Sequence, residues 1–386
     1  MENDASALLP AGITDVLPPD AEFEAQQLER LISVFGGYGY ERVKPPLIEF
    51  EETLLSGLGT AVVQDTFRLM DPISQRMMAV RADMTPQMAR IATTRLSGAE
   101  RPLRLSYAGQ IIRVRGSQAR PERQFAQVGA ELIGIDTPQA DAEVIAMAVE
   151  ALEGLGIGNI SVDLAMPTLV PAYCESQGLS SQAQAELRDA LDRKDAATVN
   201  GLAETIGKQP AETLAALLLA SGPADETLAV LSKLDLGSAG THERDALVAV
   251  IDALRAQMPD INLTIDAVEN RGFEYHTGVT FSFFNRHVRG ELGRGGRYMA
   301  GVNDGEKEPA TGLTLFMDTI LKALPREVDK KRIYVPYETA QPKAAQMRQE
   351  GWVVIAGLRP VEDMHSEAKR LGCTHLYDTD KIVEIE

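Results

Sequence analysis

The sequence predicts an α+β fold, in which a large sheet packs against helices and a helical segment interrupts the strands. Segments with strand character recur on both sides of the middle of the chain, at 125–134 and 279–284. Apolar residues at helical spacing mark 21–35 and 138–152 as amphipathic helices. From about residue 180 to 258 the chain is rich in Ala, Leu, Asp and Glu and poor in strand formers, which indicates inserted helices.

The N-terminal third is predicted to form one helix followed by extended segments. The helix over 21–35 has its large apolar residues on one face and ends at the glycines of 36–40, which permit the backbone turn of a helix end. The prolines within 41–49 exclude that segment from a central strand position, because proline lacks the N–H that a ladder needs. Strands are predicted at 76–82 and 104–114.

Strands resume around the inserted helices, at 160–167 and 261–268. The glycine-rich segment 293–298 has two interpretations, a loop that cradles a phosphate through backbone N–H groups or a tight hairpin turn. The apolar pattern over 313–324 predicts a helix.

The C-terminal tail is predicted to form a small α/β unit. After a charged linker at 325–331, the pattern is strand, helix, strand, helix, strand. The predicted organisation is therefore a core over 1–325, with a helical insertion at about 170–260, and a small C-terminal domain over 330–386.

Composition narrows the class of protein. Of 386 residues, 44% are hydrophobic and 24% charged, which is typical of a globular chain. The net charge of −18 disfavours nucleic acid, because affinity for a phosphate backbone comes largely from Lys and Arg. Cys174 and Cys373 lie far apart without metal-ligand spacing, and we expect free thiols in a reducing compartment. With no long apolar run and an acidic N-terminus, we expect a cytoplasmic protein with no membrane partner.

Two polar groups stand out within predicted elements. Gln127 and Glu131 lie on one face of the strand at 125–134, so this face is either exposed to solvent or lines a cavity. Asp83 and Thr85 precede a helical pattern, and either of them is a candidate helix cap. Capping is the more economical interpretation on local grounds.

A third polar group precedes the strand at 279–284. Arg271, Glu274, Tyr275 and His276 place a cation, an anion, a phenol and an imidazole at its beginning. A single histidine is more often structural than a ligand, and the sequence has no zinc-binding, Walker or nucleophile-elbow motif. We therefore expect neither a metal nor a cofactor.

Five segments in this order resemble the catalytic core of histidyl-tRNA synthetase. The resemblance extends from about residue 10 to 325, and its motifs are 38–49, 80–85, 111–134, 271–278 and 295–298. It implies the class II aminoacyl-tRNA synthetase fold, an antiparallel sheet flanked by helices that works as a dimer. It also places the helical insertion where that family carries one.

The resemblance implies a pocket for histidine. Asp83 matches a glutamate that takes the amino group, with Thr85 beside it, while Gln127 and Glu131 match residues that read the amino acid and its imidazole. These residue types suit an amino acid, since an ammonium needs acceptors and a ring nitrogen needs a polar partner.

The same resemblance assigns the cations and the aromatic groups. Arg113 matches the arginine on the α-phosphate of ATP, and Arg271 matches the arginine that assists adenylate formation. Tyr275 and His276 match a pair of tyrosines, the second of which contacts the imidazole, so His276 is a departure. Glu274 stands where that family has an aspartate.

Three further departures lie at the ATP site. Phe316 replaces a glycine, Thr319 replaces the arginine that clamps ATP, and Arg115 replaces a glutamate. Adenylate formation depends on cations aimed at the phosphates, and losing one typically costs orders of magnitude in rate. The tail is also shorter than the anticodon-reading domain of that family. Charging of tRNA is therefore not expected.

A second family fits these losses, the regulatory subunits of short-form ATP phosphoribosyltransferase, which resemble histidyl-tRNA synthetase without charging tRNA. This resemblance implies no catalysis by the chain itself, activation of a separate catalytic subunit, and feedback inhibition by histidine in the first step of histidine biosynthesis. It also implies a homodimer, formed through 45–49, within a hetero-octamer. The alternatives are an active histidyl-tRNA synthetase, a synthetase-like paralogue that modifies a protein or binds nucleic acid, and a scaffold with an empty pocket.

Overall fold

The computed structural model describes residues 9–55, 63–116, 120–269, 275–301, 305–325 and 331–385. The chain divides into two compact units, Met1–Leu324 and Pro325–Glu386. Among the described residues, no helix combines the length and the apolar character needed to cross a membrane.

Most strands of the larger unit form one sheet. They are β1 (Glu41–Arg42), β2 (Ile48–Phe50), β3 (Arg68–Met70), β4 (Met77–Val80), β5 (Leu103–Ile112), β6 (Gln124–Ile133), β7 (Ile160–Ala165), β8 (Ser221–Pro223), β9 (Asn262–Asp266), β10 (His276–Asn285), β11 (Gly293–Ala300) and β12 (Glu308–Phe316). Within the described residues, nine of them pair in the order β1-β5-β6-β12-β11-β10-β7-β9-β8. The central pairs from β5 to β7 are antiparallel, whereas β1 and β9 add in parallel. A separate sheet has the order β2-β4-β3.

Helices flank and interrupt these strands. They are α1 (Asp20–Gly37), α2 (Glu51–Leu54), α3 (Thr85–Arg90), α4 (Pro138–Gly154), α5 (Leu169–Ser176), α6 (Ser181–Asp192), α7 (Ala196–Gly201), α8 (Ala203–Ile206), α9 (Lys208–Leu219), α10 (Ala224–Leu231), α11 (Gly237–Gln257) and α12 (Met317–Ala323). A π-helical turn over Ile91–Arg95 continues α3. The helices predicted near 21–35 and 138–152 are confirmed as α1 and α4.

Helix α4 has the amphipathic pattern predicted for it, with a narrow exposed face. Most of its residues are buried, because it lies against the sheet, α1 and α11. Gln139, Glu150 and Glu153 are exposed, and their helical spacing puts them on one side. The prediction of an amphipathic helix is thus confirmed.

The two faces of the large sheet have different coverings. Val128 and Ala130 of β6 belong to the main core, which includes α1, α4 and apolar side chains of the inserted helices. Phe125 on the opposite face belongs to a smaller cluster with Tyr107 and with Met88 of α3. The alternation predicted for β6 is confirmed, and its polar residues lie on the α3 side.

Two predictions for the end of the core are wrong. Residues 313–316 belong to the strand β12, and the helix begins only at Met317. The segment 293–298 is neither a phosphate loop nor a hairpin turn but lies within β11. A Cβ at Gly295 would lie 2.1 Å from the carbonyl oxygen of Gly312, so glycine allows these strands to approach. Glycine therefore masks the side-chain alternation that marks a strand.

The smaller unit is an α/β unit. Its elements are β13 (Arg332–Val335), α13 (Gln341–Gln349), β14 (Val353–Ala356), α14 (Met364–Arg370), β15 (His375–Asp378) and β16 (Lys381–Glu384). The first three strands are parallel, in the order β14-β13-β15. The predicted alternation of strands and helices is confirmed, and the antiparallel edge strand β16 is an addition.

Candidate functional site

The polar face of β6 is buried beneath α3. Gln127 and Glu131 have no exposed surface, which excludes the solvent-facing alternative. The register of β6 with β5 and β12 pairs Gly129 with both Tyr107 and Thr314, so these side chains belong to the same face. The sheet thus gathers carboxyl, amide and hydroxyl groups on one face.

Glu131 lies at the centre of this group. The hydroxyl of Tyr298 donates to its Oε2 at 2.9 Å, and the hydroxyl of Tyr107 donates to its Oε1 at 3.3 Å. Tyr107 also lies 2.8 Å from the hydroxyl of Thr314. Burial raises the pKa of Glu131 to about 8, although the hydrogen bond from Tyr298 opposes that shift. A carboxyl with such a pKa changes protonation near neutral pH.

Asp83 and Gln127 connect this group to the start of α3. One carboxylate oxygen of Asp83 accepts the backbone N–H of Thr85 at 2.9 Å, and the other accepts the Gln127 amide at 3.1 Å. The amide oxygen of Gln127 accepts the backbone N–H of Met84 at 3.1 Å. Met84 is the N-cap of α3 and makes no side-chain capping bond, so the predicted capping by Asp83 or Thr85 is wrong. The carboxylate of Asp83 instead bridges the N–H of Thr85 and the amide of Gln127. We call Asp83, Thr85, Tyr107, Gln127, Glu131 and Tyr298 the carboxylate cluster.

Glycines form the floor under the carboxylate cluster. A Cβ at Gly312 would lie 1.7 Å from Oε2 of Glu131, and one at Gly129 would lie 2.3 Å from the hydroxyl of Tyr107. Real Cβ atoms do not approach other atoms so closely, and neither side chain could keep its position over a larger residue. The two glycines thus fix where the acid and the phenol lie.

The predicted group before β10 lies beside the carboxylate cluster in its described part. The ring of Tyr275 is 4.0 Å from that of His276 and meets the ring of Tyr298 edge-on at 6.0 Å. His276 is buried, and Tyr275 is 39% exposed. Arg271 and Glu274 lie outside the described residues. Two of the predicted site residues at this strand are therefore next to the tyrosine that contacts Glu131.

The two arginines of the 111–115 segment have different environments. Arg115 is exposed, whereas Arg113 is half-buried, with its Nε 3.4 Å from the carbonyl oxygen of Ala82. Burial lowers the pKa of Arg113, and the charge of Asp83 opposes that shift. Arg113 therefore places a cation close to the carboxylate cluster.

Phe316 and its neighbours fill the next part of the same face. Phe316 is 1% exposed and meets Phe125 edge-to-face, with ring centroids 6.2 Å apart. The guanidinium of Arg120 lies 3.8 Å from the centroid of Phe316 and 4.8 Å from that of Phe125. The Nε of Arg120 pairs with Asp318 at 3.0 Å, and its Nη2 lies 3.5 Å from the hydroxyl of Thr319.

Arg120, Phe125, Phe316, Asp318 and Thr319 form a unit that we call the Arg120 cluster. The side chains of Arg120 and Asp318 are 12% and 9% exposed, so the charge of Arg120 is directed at a buried acid. Sequence reasoning missed both of these residues. The available signal was an acid two residues after Phe316 together with an arginine in the segment before β6. Among the described residues, no group of His, Cys, Asp and Glu could hold a metal ion.

Comparison with known proteins identifies the family. The histidyl-tRNA synthetase family profile matches residues 12–320. A protein of Paramagnetospirillum magneticum named ATP phosphoribosyltransferase regulatory subunit is 54% identical, over 98% of both chains. A protein of the same name from Rhodospirillum rubrum is 47% identical, over 97% of this chain and 96% of its own. The chain belongs to the family of ATP phosphoribosyltransferase regulatory subunits.

Solved structures agree on the fold. A Bacillus halodurans protein described as an ATP phosphoribosyltransferase regulatory subunit/histidyl-tRNA synthetase superposes with a TM-score of 0.81 at 24% identity, over 96% of this chain and 97% of its own. The histidyl-tRNA synthetase of Nostoc superposes with a TM-score of 0.79 at 21% identity, over 96% and 90%. The predicted α+β fold of the class II synthetase type is confirmed.

Membership of the regulatory subunit family gives the two clusters different meanings. The carboxylate cluster retains the acids and amides that the sequence matched to histidine recognition, at distances suited to hydrogen bonding. The Arg120 cluster contains Phe316 and Thr319, the two residues at which the sequence departs from the ATP-binding motif of the resembled enzyme.

Proposed function

We propose that this chain is the non-catalytic regulatory subunit of a short-form ATP phosphoribosyltransferase. It activates a separate catalytic subunit and transmits feedback inhibition by histidine in the first step of histidine biosynthesis. Support comes from relatives of this name that match nearly the whole chain, at up to 54% identity. The observation that carries the proposal is the coexistence of an intact carboxylate cluster with a filled Arg120 cluster.

The Arg120 cluster explains why the chain would not activate an amino acid. Adenylate formation needs cations aimed at the developing charge on the phosphates. Thr319 carries no charge, and the guanidinium of Arg120 is turned to Asp318 at 3.0 Å. The ring of Phe316 is packed against Phe125 and Arg120, and it stands in place of a glycine of the ATP-binding motif in the resembled enzyme. Binding of an amino acid can therefore persist without its activation.

The carboxylate cluster is suited to histidine. The carboxylate of Asp83 is an acceptor for an ammonium, and Glu131 with its two phenols offers donors and acceptors to the ring nitrogens. His276 stacks near Tyr275 at the side of this cluster. In this proposal Arg113, with Arg271 from outside the described residues, supplies positive charge to the ligand.

Inhibition by histidine requires two states of the complex. A ligand shifts an equilibrium only through unequal affinity for the two states, so histidine must bind the inhibited arrangement more tightly. By reciprocity, docking of the catalytic subunit changes the affinity of this chain for histidine. The regulatory output thus depends on the whole assembly, which we propose to be a cytoplasmic hetero-octamer built on homodimers, without tRNA.

The small sheet β2-β4-β3 supports the homodimer. Several of its apolar side chains are exposed, with Met70 at 64% and Met77 at 41%, and Ile73 in the turn between β3 and β4 is 92% exposed. The charges around them are paired locally, Arg68 with Glu51 at 2.6 Å among them. A neutral apolar surface of this kind is typical of a protein interface, and on a chain of net charge −18 it avoids repulsion between two copies.

Reconstitution tests the proposal. The purified chain is mixed with the short catalytic subunit from the same organism, and turnover is compared with that of the catalytic subunit alone, with and without histidine. We expect higher turnover on mixing and histidine inhibition of the mixture. The variant Glu131→Ala should weaken inhibition and leave activation intact. Equal turnover with and without the chain would reject the assignment.

A further inference from the structure

A row of paired residues crosses the sheet beside the carboxylate cluster. It contains an arginine, Arg294, to which we have assigned no role so far. The register pairs, taken from β5 to β10, are Tyr107 with Gly129, Gly129 with Thr314, Thr314 with Arg294, and Arg294 with Ser282. Residues paired in this way on antiparallel strands project from the same face. Arg294 therefore lies on the face that carries Glu131, in the same row as the phenol of Tyr107.

Arg294 is close to the cation already assigned to the site. Burial lowers the pKa of Arg113, and after the opposing effect of Asp83 the charge of Arg294 is the next contribution. Arg294 also forms an ion pair with Glu291, but the N–O distance is 3.9 Å and both side chains are about a third exposed. Such long, exposed ion pairs contribute little to stability.

The charges on this face differ between β6 and β11. The carboxylate of Asp83 lies at β6 and α3 beside the largely protonated Glu131, with Arg113 close to it after β5, whereas Arg294 lies on β11. Two guanidinium groups that share a face repel each other, and a carboxylate placed between them removes that repulsion. This layout is complementary to a zwitterion with its ammonium and its carboxylate at different ends.

The spacing of the strands allows one small ligand to reach both ends. Only β12 separates β6 from β11, so their axes are about 10 Å apart. One amino acid together with one extended arginine side chain can span that separation. The part of this face between β6 and β11 is lined by glycines, which have no side chains to obstruct a ligand. They are Gly129, Gly312 and Gly296.

We propose that Arg294, together with Arg113, binds the α-carboxylate of a free L-amino acid whose ammonium and ring lie on the carboxylate cluster. The inference rests on the proposed function, in which histidine is that amino acid. It makes Arg294 a specificity-determining residue, because the site then requires an ionised carboxylate and rejects analogues in which that group is an alcohol. The chain would bind free histidine in preference to derivatives that lack the carboxylate.

Calorimetric titration of the full chain with L-histidine and with L-histidinol tests this role. Histidinol keeps the ammonium and the ring but has an alcohol in place of the carboxylate. Hydrogen bonds to charged groups correspond to about a tenfold to hundredfold change in affinity. We expect Arg294→Ala to weaken histidine binding by that factor and to leave the affinity for histidinol unchanged. Arg286→Ala, which removes an exposed arginine between β10 and β11, is the matched control and should change neither affinity.

The outcomes separate the inference from the proposed function. If the wild-type chain binds no histidine, alone or with its catalytic partner, both are overturned. If it binds histidine and Arg294→Ala binds histidine equally well, or loses both ligands to the same extent, only the role of Arg294 is overturned. Equal wild-type affinities for histidine and histidinol would also overturn it, without any variant. Arg294→Gln, checked by circular dichroism, replaces the alanine variant if that one does not fold.

Discussion

The carboxylate cluster and the Arg120 cluster are neighbours on one sheet face and are built in opposite ways. In the carboxylate cluster, polar groups hold one another at 2.8 to 3.3 Å above a floor of glycines. In the Arg120 cluster, two aromatic rings and an ion pair fill the space with the chain's own side chains. The difference supports our proposal that the chain keeps ligand-binding groups at one end of this face and lacks a nucleotide site at the other.

The comparison also explains why each arrangement is stable. Every acid of the carboxylate cluster has donors within hydrogen-bonding distance, so its burial leaves no uncompensated group in the cluster. The Arg120 cluster contains an internal cation stacked on Phe316 and Phe125. A cation over an aromatic face is attractive, the more so when it is shielded from water.

Arg120→Ala should have the largest effect on stability. Removing the guanidinium leaves Asp318, 9% exposed, without its ion-pair partner. Breaking a buried pair in this way costs about 3 to 5 kcal/mol, and we expect that loss in the free energy of unfolding measured with urea. Arg115→Ala, in an exposed arginine of the same segment, is the control and should stay within about 0.5 kcal/mol of the wild type. Similar losses in both variants would mean that the Arg120 cluster is not a packed unit.

Gly312→Ala should act on the other cluster with a smaller loss of stability and a specific loss of binding. Its Cβ would lie 1.7 Å from Oε2 of Glu131 and must displace that carboxyl. Overpacking costs about 1 to 3 kcal/mol, and we expect histidine binding to fall with it while activation of the catalytic subunit persists. Gly158→Ala, where a Cβ would meet no atom within 4 Å, is the control. If Gly312→Ala bound histidine with unchanged affinity, Glu131 would not be in contact with the ligand.

The pH dependence of stability should also distinguish the clusters, through a slope instead of a loss at one pH. Because burial raises the pKa of Glu131 from 4.5 to about 8, the folded chain holds that proton more tightly than the unfolded chain does. The contribution is therefore complete below pH 4.5 and is lost as the pH rises to 8, with a slope of at most about 1.4 kcal/mol per pH unit.

Glu131→Gln should remove this part of the slope. Urea unfolding followed by far-ultraviolet circular dichroism at several pH values between 5 and 8 measures this slope. The control Glu226→Gln changes an exposed residue and should keep the wild-type slope. Parallel curves for wild type and Glu131→Gln would mean that the acid is not held protonated.

Local patterns were enough for some of these features and not for others. The alternation of β6 predicted the shared face of Gln127 and Glu131, because side-chain period is a property of the strand itself. The strands β11 and β12 were missed, since their glycines are set by contacts with neighbouring strands. Arg120 was missed because its partner Asp318 lies 198 positions away in sequence.

The role of Phe316 falls between these cases. A resemblance to a family motif marked it as a departure, and its ring was expected in the space of the nucleotide. Only the fold revealed that Phe125 and Arg120 pack on it. A motif can thus indicate that a site is broken, whereas the structure is needed to identify what has replaced it.

The central claim is that the chain binds histidine at the carboxylate cluster without activating it. The most direct test is histidine-dependent exchange of pyrophosphate into ATP, measured on a purified sample that binds histidine by calorimetry. The account predicts no exchange above background, while an active histidyl-tRNA synthetase assayed in parallel exchanges readily. Exchange catalysed by the pure chain would contradict it, because the Arg120 cluster would then have to admit ATP.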